Sequence, residues 1–72
     1  MNATTITAGP FANKDGKWCL IARRGCLVIH LTTTRLNSIE ELTDAVVADL
    51  AAQYAVEAGV SPEEALAAVR AR

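Results

Sequence analysis

Trp18-Cys19-Leu20-Ile21-Ala22-Arg23-Arg24-Gly25-Cys26-Leu27-Val28-Ile29-His30-Leu31 decides how this chain folds. Two apolar runs flank Arg23-Arg24-Gly25, the pattern of a β-hairpin. Almost every residue in the runs is apolar on both parities, so both faces of the hairpin call for cover. The turn chemistry suggests a register. A two-residue type I′ loop would force Arg24 to positive φ, which a long side chain disfavours. A three-residue loop, Arg23-Arg24-Gly25, leaves only glycine in the left-handed region. That loop pairs Ala22 with Cys26, Leu20 with Val28 and Trp18 with His30. One face then carries Trp18, Leu20, Ala22, Cys26, Val28 and His30, and the other Cys19, Ile21, Leu27, Ile29 and Leu31.

Upstream, Asp15-Gly16 between Lys14 and Lys17 is a second hairpin signal. A two-residue turn there sets Asn13 opposite Trp18 and Phe11 opposite Leu20, making a three-stranded meander. Thr4 to Thr7 suits a short edge strand that Ala8-Gly9-Pro10 interrupts. Downstream, Thr32-Thr33-Thr34 extends or leaves the sheet.

The pattern then changes to helical. Ser38-Ile39-Glu40-Glu41 reads as a capping box. Ile39, Leu42, Val46, Leu50 and Tyr54 recur three and four residues apart, with Val47, Ala51 and Ala55 widening the stripe. This predicts a helix over 39–58, with Gly59 just past its end. Ser61-Pro62-Glu63-Glu64 gives a second cap, with proline at the first helical position. It predicts a short helix over 62–71, with Leu66 and Val69 as its apolar edge. The fold class expected is α+β, a small antiparallel sheet on one long helix, followed by a short C-terminal helix. Residues 1–72 are expected to form a single domain, with the sheet over about 4–34.

Seventy-two residues, 51% apolar but with only three aromatics, make a globular composition with a small core. Residues 1–37 carry a net +4 (five basic side chains against Asp15), and residues 38–72 a net −5 (seven carboxylates against Arg70 and Arg72). A basic hairpin lying on an acidic helix, each neutralising the other, accounts for this; a dipolar molecule meeting a charged partner is the sharper reading. The N-terminal stretch lacks a charged-then-apolar signal pattern, and no apolar run approaches a membrane span. Two cysteines without a signal point to the cytoplasm and to free thiols.

Cys19, Cys26 and His30 are the only nucleophile, base or soft-ligand candidates in the hairpin. No acid is placed to orient His30, and the cysteines lack the close spacing of a structural zinc site. Neither catalysis nor a metal or cofactor is expected.

Two stretches resemble nucleic-acid-binding modules. Ala55 and Ala58-Gly59-Val60-Ser61, within 53–69, are similar to the turn of a helix-turn-helix, which implies that the last helix reads DNA. Its opening Pro62-Glu63-Glu64 sets two carboxylates where such helices meet phosphates. Gly16-Lys17-Trp18, a β-turn and the Ser38 helix start resemble the arm-binding domains of phage integrases. That resemblance implies a sheet in the major groove, but here the strand interiors are Cys, Leu, Ile and Val.

The function expected is a non-enzymatic protein that docks on and modulates a larger protein or nucleoprotein complex. In size and style it resembles small phage-encoded inhibitors, anti-CRISPR proteins among them. A homodimer is the second expectation, and a small DNA-binding regulator the alternative. The contact residues expected are Arg23 and Arg24 at the hairpin tip, then Lys14 and Lys17. Trp18 and His30 follow on one sheet face. Asp44 and Asp49 lie on an acidic helix stripe with Glu40 and Glu57.

Overall fold

Three strands precede two helices in the computed structural model, which describes residues 3–33 and 42–72. They are β1 (Thr4–Ala12), β2 (Trp18–Arg24), β3 (Leu27–Thr32), α1 (Asp44–Ala58) and α2 (Pro62–Arg70). The strands form one antiparallel sheet in the order β1-β2-β3. Among the described residues no helix is long and apolar enough to cross a membrane.

Both turns differ from the sequence expectation, and in opposite senses. The first is a three-residue loop, Lys14-Asp15-Gly16. Asn13 N–H donates to the Lys17 carbonyl at 2.8 Å, and Gly16 takes a φ of 79°. The Asn13 side-chain oxygen also accepts from the N–H groups of Asp15 and Lys17. One asparagine side chain thus holds an amide within the loop and the amide just after it, and fixes the longer loop. Phe11 therefore pairs with Cys19, and Ala12 with Trp18. The second turn is a two-residue loop, Gly25-Cys26, closed by Arg24 opposite Leu27. Gly25 has a φ of 61°, and among the described residues no non-glycine residue has positive φ. Glycine at the first central position is the type II′ arrangement, which spares Arg24 any strain.

The consequence is a three-residue shift in β3. Leu20 pairs with Leu31, Ala22 with Ile29 and Ile21 with His30. An odd shift exchanges the faces of a strand. Trp18, Leu20, Ala22, Ile29, Leu31 and Thr33 share the inner face. Cys19, Ile21, Arg23, Val28, His30 and Thr32 share the outer one. The expected pairing of Trp18 with His30 is thereby corrected, because the two residues lie on opposite faces.

β1 runs through Gly9-Pro10 instead of breaking there. As an edge strand it loses no ladder bond at Pro10, and two register shifts, between Ile6 and Ala8 and between Ala8 and Phe11, absorb the irregularity. Gly9 sits at a φ of +94°, where an added Cβ would lie 2.6 Å from the Cys19 carbonyl oxygen. Only glycine lets the two backbones approach this closely.

α1 begins at Asp44, five residues later than expected. Thr43 is its N-cap, its hydroxyl accepting from the Val46 N–H at 3.3 Å. The Ser38–Glu41 capping box, Ile39, Glu40 and Thr34 lie outside the described residues. Leu42, expected within the stripe, is 43% exposed ahead of the cap. The remaining stripe holds: Val46, Leu50, Ala51, Tyr54 and Ala55 are buried. Gly59 ends the helix in the left-handed conformation, with its own N–H and that of Val60 both donating to the Ala55 carbonyl. Ser61 caps α2 and accepts from the Glu64 N–H, with Pro62 in the first turn.

The core lies between the inner sheet face and the helices. Leu20, Ala22 and Leu31 meet the buried stripe of α1, and Ala65 and Val69 of α2 complete it. Fully buried Leu20 and Leu50 each contribute roughly 1.5–3 kcal/mol relative to exposure.

Side chains also tie the helical layer to the sheet margins. Tyr54 Oη donates to the Thr4 carbonyl at 2.9 Å, and Gln53 Nε2 to the Thr32 carbonyl at 2.8 Å. Arg72 donates to the Gly9 and Ile6 carbonyls.

Candidate partner-binding surface

Helices cover the inner sheet face only. Against the other face the structure places no element among the described residues. Its surface is set by strand parity. β2 contributes Cys19, Ile21 and Arg23; β3 contributes Val28, His30 and Thr32; β1 contributes Thr5 and Phe11, opposite Arg23 and Cys19. Phe11 is 39% and Val28 50% exposed, His30 and Arg23 are exposed, and Ile21 is half-buried between its neighbours. The result is an apolar centre with one permanent charge at Arg23 and one imidazole at His30. The three strands contain no Asp or Glu.

The polar groups of this face are modestly engaged. Arg23 Nε donates to the Gly25 carbonyl at 2.9 Å, which folds its guanidinium over the Gly25-Cys26 loop. Cys19 Sγ accepts from the Asn13 side-chain amide at 3.2 Å and lies 3.8 Å from the Thr32 hydroxyl. Both cysteines are free, Cys19 half-buried within the face and Cys26 exposed in the loop. His30 has Ile21 as its cross-strand neighbour. No carboxylate on the sheet is available to orient His30 as a base. Among the described residues no three His, Cys, Asp or Glu side chains converge as metal ligands would.

The expected contact residues separate into five places. Arg23 and His30 lie together on the open face. Arg24 belongs to the fold. It is half-buried on the inner side, its Nη1 donating to the Glu57 carbonyl of α1 at 2.8 Å. That carbonyl is one of the last four of α1, which lack intrahelical partners, so a cation there opposes the helix dipole. The expected pairing of Arg23 and Arg24 at an exposed tip is corrected accordingly, since Gly25 and Cys26 form the tip.

Lys14 opens the first loop and Lys17 follows it, at the opposite end of β2 and so roughly 20 Å from Arg23. Trp18 is half-buried against the core, with its indole N–H buried and without a partner among the described residues. Asp44 is exposed in the first turn of α1, whereas Asp49 is half-buried and accepts from Gln53 Nε2 at 3.3 Å.

Phe11 and Ile21 are members of the open face outside the expected contact residues, whereas Val28 was already read on the same face as His30. Gly25, read as the first residue of a two-residue loop, brings Ile21 opposite His30, and Asn13, which lengthens the first loop, brings Phe11 opposite Cys19. No protein-family model, curated protein or solved structure matches this chain.

Proposed function

We propose that this protein is a non-enzymatic binding module that docks its open sheet face on a larger protein or nucleoprotein complex and modulates or inhibits it. The observation that carries this reading is the asymmetry of the sheet. One face is covered by both helices, while the other leaves Phe11 and Val28 half-exposed around Ile21. A contiguous apolar patch rimmed by polar groups is characteristic of an interaction surface. Arg23 and His30 at its margin supply orientation, as polar rims do in protein interfaces. Inhibition of a larger machine, as by small phage-encoded inhibitors of the anti-CRISPR kind, suits a chain of this size whose chemistry-bearing side chains remain apart. The free thiols suit a reducing cytoplasm.

DNA binding has less behind it. Lys14 and Lys17 are separated from Arg23 by the length of β2, and Glu63 and Glu64 are exposed in the first turn of α2. Phosphate neutralisation dominates DNA affinity, and this chain offers no continuous basic track for it among the described residues.

Affinity capture with the full chain as bait tests the reading. Ile21→Lys and Arg23→Glu abolish capture of the specific partner without changing the circular dichroism. Val56→Lys, at an 83% exposed position on α1, leaves capture intact. Equal capture by Ile21→Lys and the parent protein refutes docking through this face.

A further inference from the structure

We infer that β3 is a homodimerisation edge. Two copies join antiparallel along Leu27–Thr32 about a two-fold axis at Ile29, making one six-stranded sheet. The two edges of the sheet differ in how they are finished. On β1, the Thr4, Ile6 and Gly9 carbonyls accept from Tyr54, Arg72 and Arg72 respectively, and Pro10 and two register shifts interrupt the strand. Such irregularity and cover are how proteins protect an edge from pairing. β3 has no such interruption. It has no proline, no charged residue and no register shift over its whole pairing with β2.

The outward groups of β3 follow from the ladder. Thr33 N–H donates to the Trp18 carbonyl. By alternation, Leu31, Ile29 and Leu27 turn their backbone toward β2, while Val28, His30 and Thr32 turn theirs outward. The Gln53 bond to the Thr32 carbonyl agrees with this. Among the described residues, nothing engages the outward N–H and C=O of Val28 and His30. That set is symmetric about Ile29, as a two-fold axis requires. Pairing Val28 with His30 of a second copy, and the reverse, makes four backbone hydrogen bonds and leaves the Gln53-bound carbonyl alone. Centring the pair on His30 instead would require that carbonyl.

Side chains favour the same occupant. A strand without Lys, Arg, Asp or Glu sets no like charges opposite each other in a self-pair. In the Ile29-centred register Leu27, 53% exposed, comes opposite Leu31 of the second copy on the helix side. Val28 comes beside the second copy's His30 on the open side. The axis is normal to the sheet, so both open faces point the same way and form one doubled surface.

Sedimentation equilibrium of the full chain, with amide hydrogen exchange followed residue by residue, tests the inference. The mass rises from 7.6 kDa toward twice that value with concentration. The Val28 and His30 amides gain protection in parallel, and the Ile6 amide on β1 does not. His30→Pro removes one outward donor per copy and no bond to β2. Two of the four hydrogen bonds are lost, at about fivefold each, so self-association weakens about 25-fold. A monomer at every concentration overturns the inference. So does a dimer whose Val28 and His30 amides stay unprotected, or one that persists undiminished in a folded His30→Pro chain. If that variant does not fold, the amide protection of the parent chain decides. The measurement uses the protein alone, so its outcome is separable from partner capture.

Discussion

Two glycines with positive φ should respond very differently to alanine. Gly59 has a φ of +67° and open space where a Cβ would go, whereas Gly9 has a φ of +94° and a Cβ position 2.6 Å from the Cys19 oxygen and 3.2 Å from the Leu20 Cα. At Gly59 the left-handed backbone costs an L-residue about 1–2 kcal/mol. Lowering the entropy of the unfolded chain returns roughly 0.4–1 kcal/mol. Gly59→Ala therefore loses about 1 kcal/mol. Gly9→Ala has at least that backbone cost, because a φ of +94° lies beyond the left-handed helical region, and the paired strands must also move apart against ladder hydrogen bonds. Overpacking of this kind adds about 1–3 kcal/mol, for a loss of about 3 kcal/mol.

For a chain of 72 residues the whole stability is roughly 4–11 kcal/mol, so the second loss is a large share of it. Urea denaturation followed by far-ultraviolet circular dichroism measures both. At a slope near 1 kcal/mol per molar, the midpoints fall by about 1 M and about 3 M. Losses within about 0.5 kcal/mol of each other would refute the close approach of β1 to β2 at Gly9, and with it the irregular β1 register.

Five further substitutions examine other joints of the fold. Thr33 is 2% exposed and its hydroxyl has no partner among the described residues, so Thr33→Val should raise the urea midpoint, by about 1 kcal/mol in stability; a lower midpoint would mean that the hydroxyl is satisfied. Arg24→Ala should cost about 1 kcal/mol by freeing the Glu57 carbonyl, while Arg23→Ala stays within about 0.5 kcal/mol; the order is read from paired denaturation curves and is wrong if reversed. Thr43→Ala and Ser61→Ala should each lose about 1 kcal/mol with the N-cap, visible as lower thermal midpoints; no change in the first would move the start of α1 away from Asp44.

The element types and their order were readable from residues alone, because periodicity and caps act locally. Ser61-Pro62 and Gly59 are commanded by backbone groups within a few positions, and the structure keeps them in those roles. The strand register was not readable, for a physical reason. Register is specified by an apolar–polar alternation, and here both parities of the hairpin are apolar. Leu20, Ala22, Ile29 and Leu31 face the core, yet Cys19, Ile21 and Val28 look equally suited to it. What remained was turn chemistry, and Gly25 satisfies both a three-residue loop that ends on glycine and a two-residue loop that begins on it.

The first turn hid its loop length for a related reason. Asp15-Gly16 is a strong signal, but the Asn13 side chain, which holds the amides of Asp15 and Lys17, outweighs it. For the surface, the charged residues were visible and their grouping was not. Arg23 and Arg24 are adjacent in sequence, yet a strand sends neighbours to opposite faces, so one reaches the open surface and the other holds a helix end.

The clasp on β1 has a kinetic side. The carbonyls of Thr4, Ile6 and Gly9 are closed by donors 50, 66 and 63 residues away, so this margin forms only when the helices dock. Hairpins form within microseconds, whereas contacts of such long separation come later. A refolding chain whose meander forms before the helices dock would have both margins bare, the kind of state that associates wrongly at high concentration. Refolding yield should fall with protein concentration in any variant that slows docking of α2, even where the finished molecule is as stable as before.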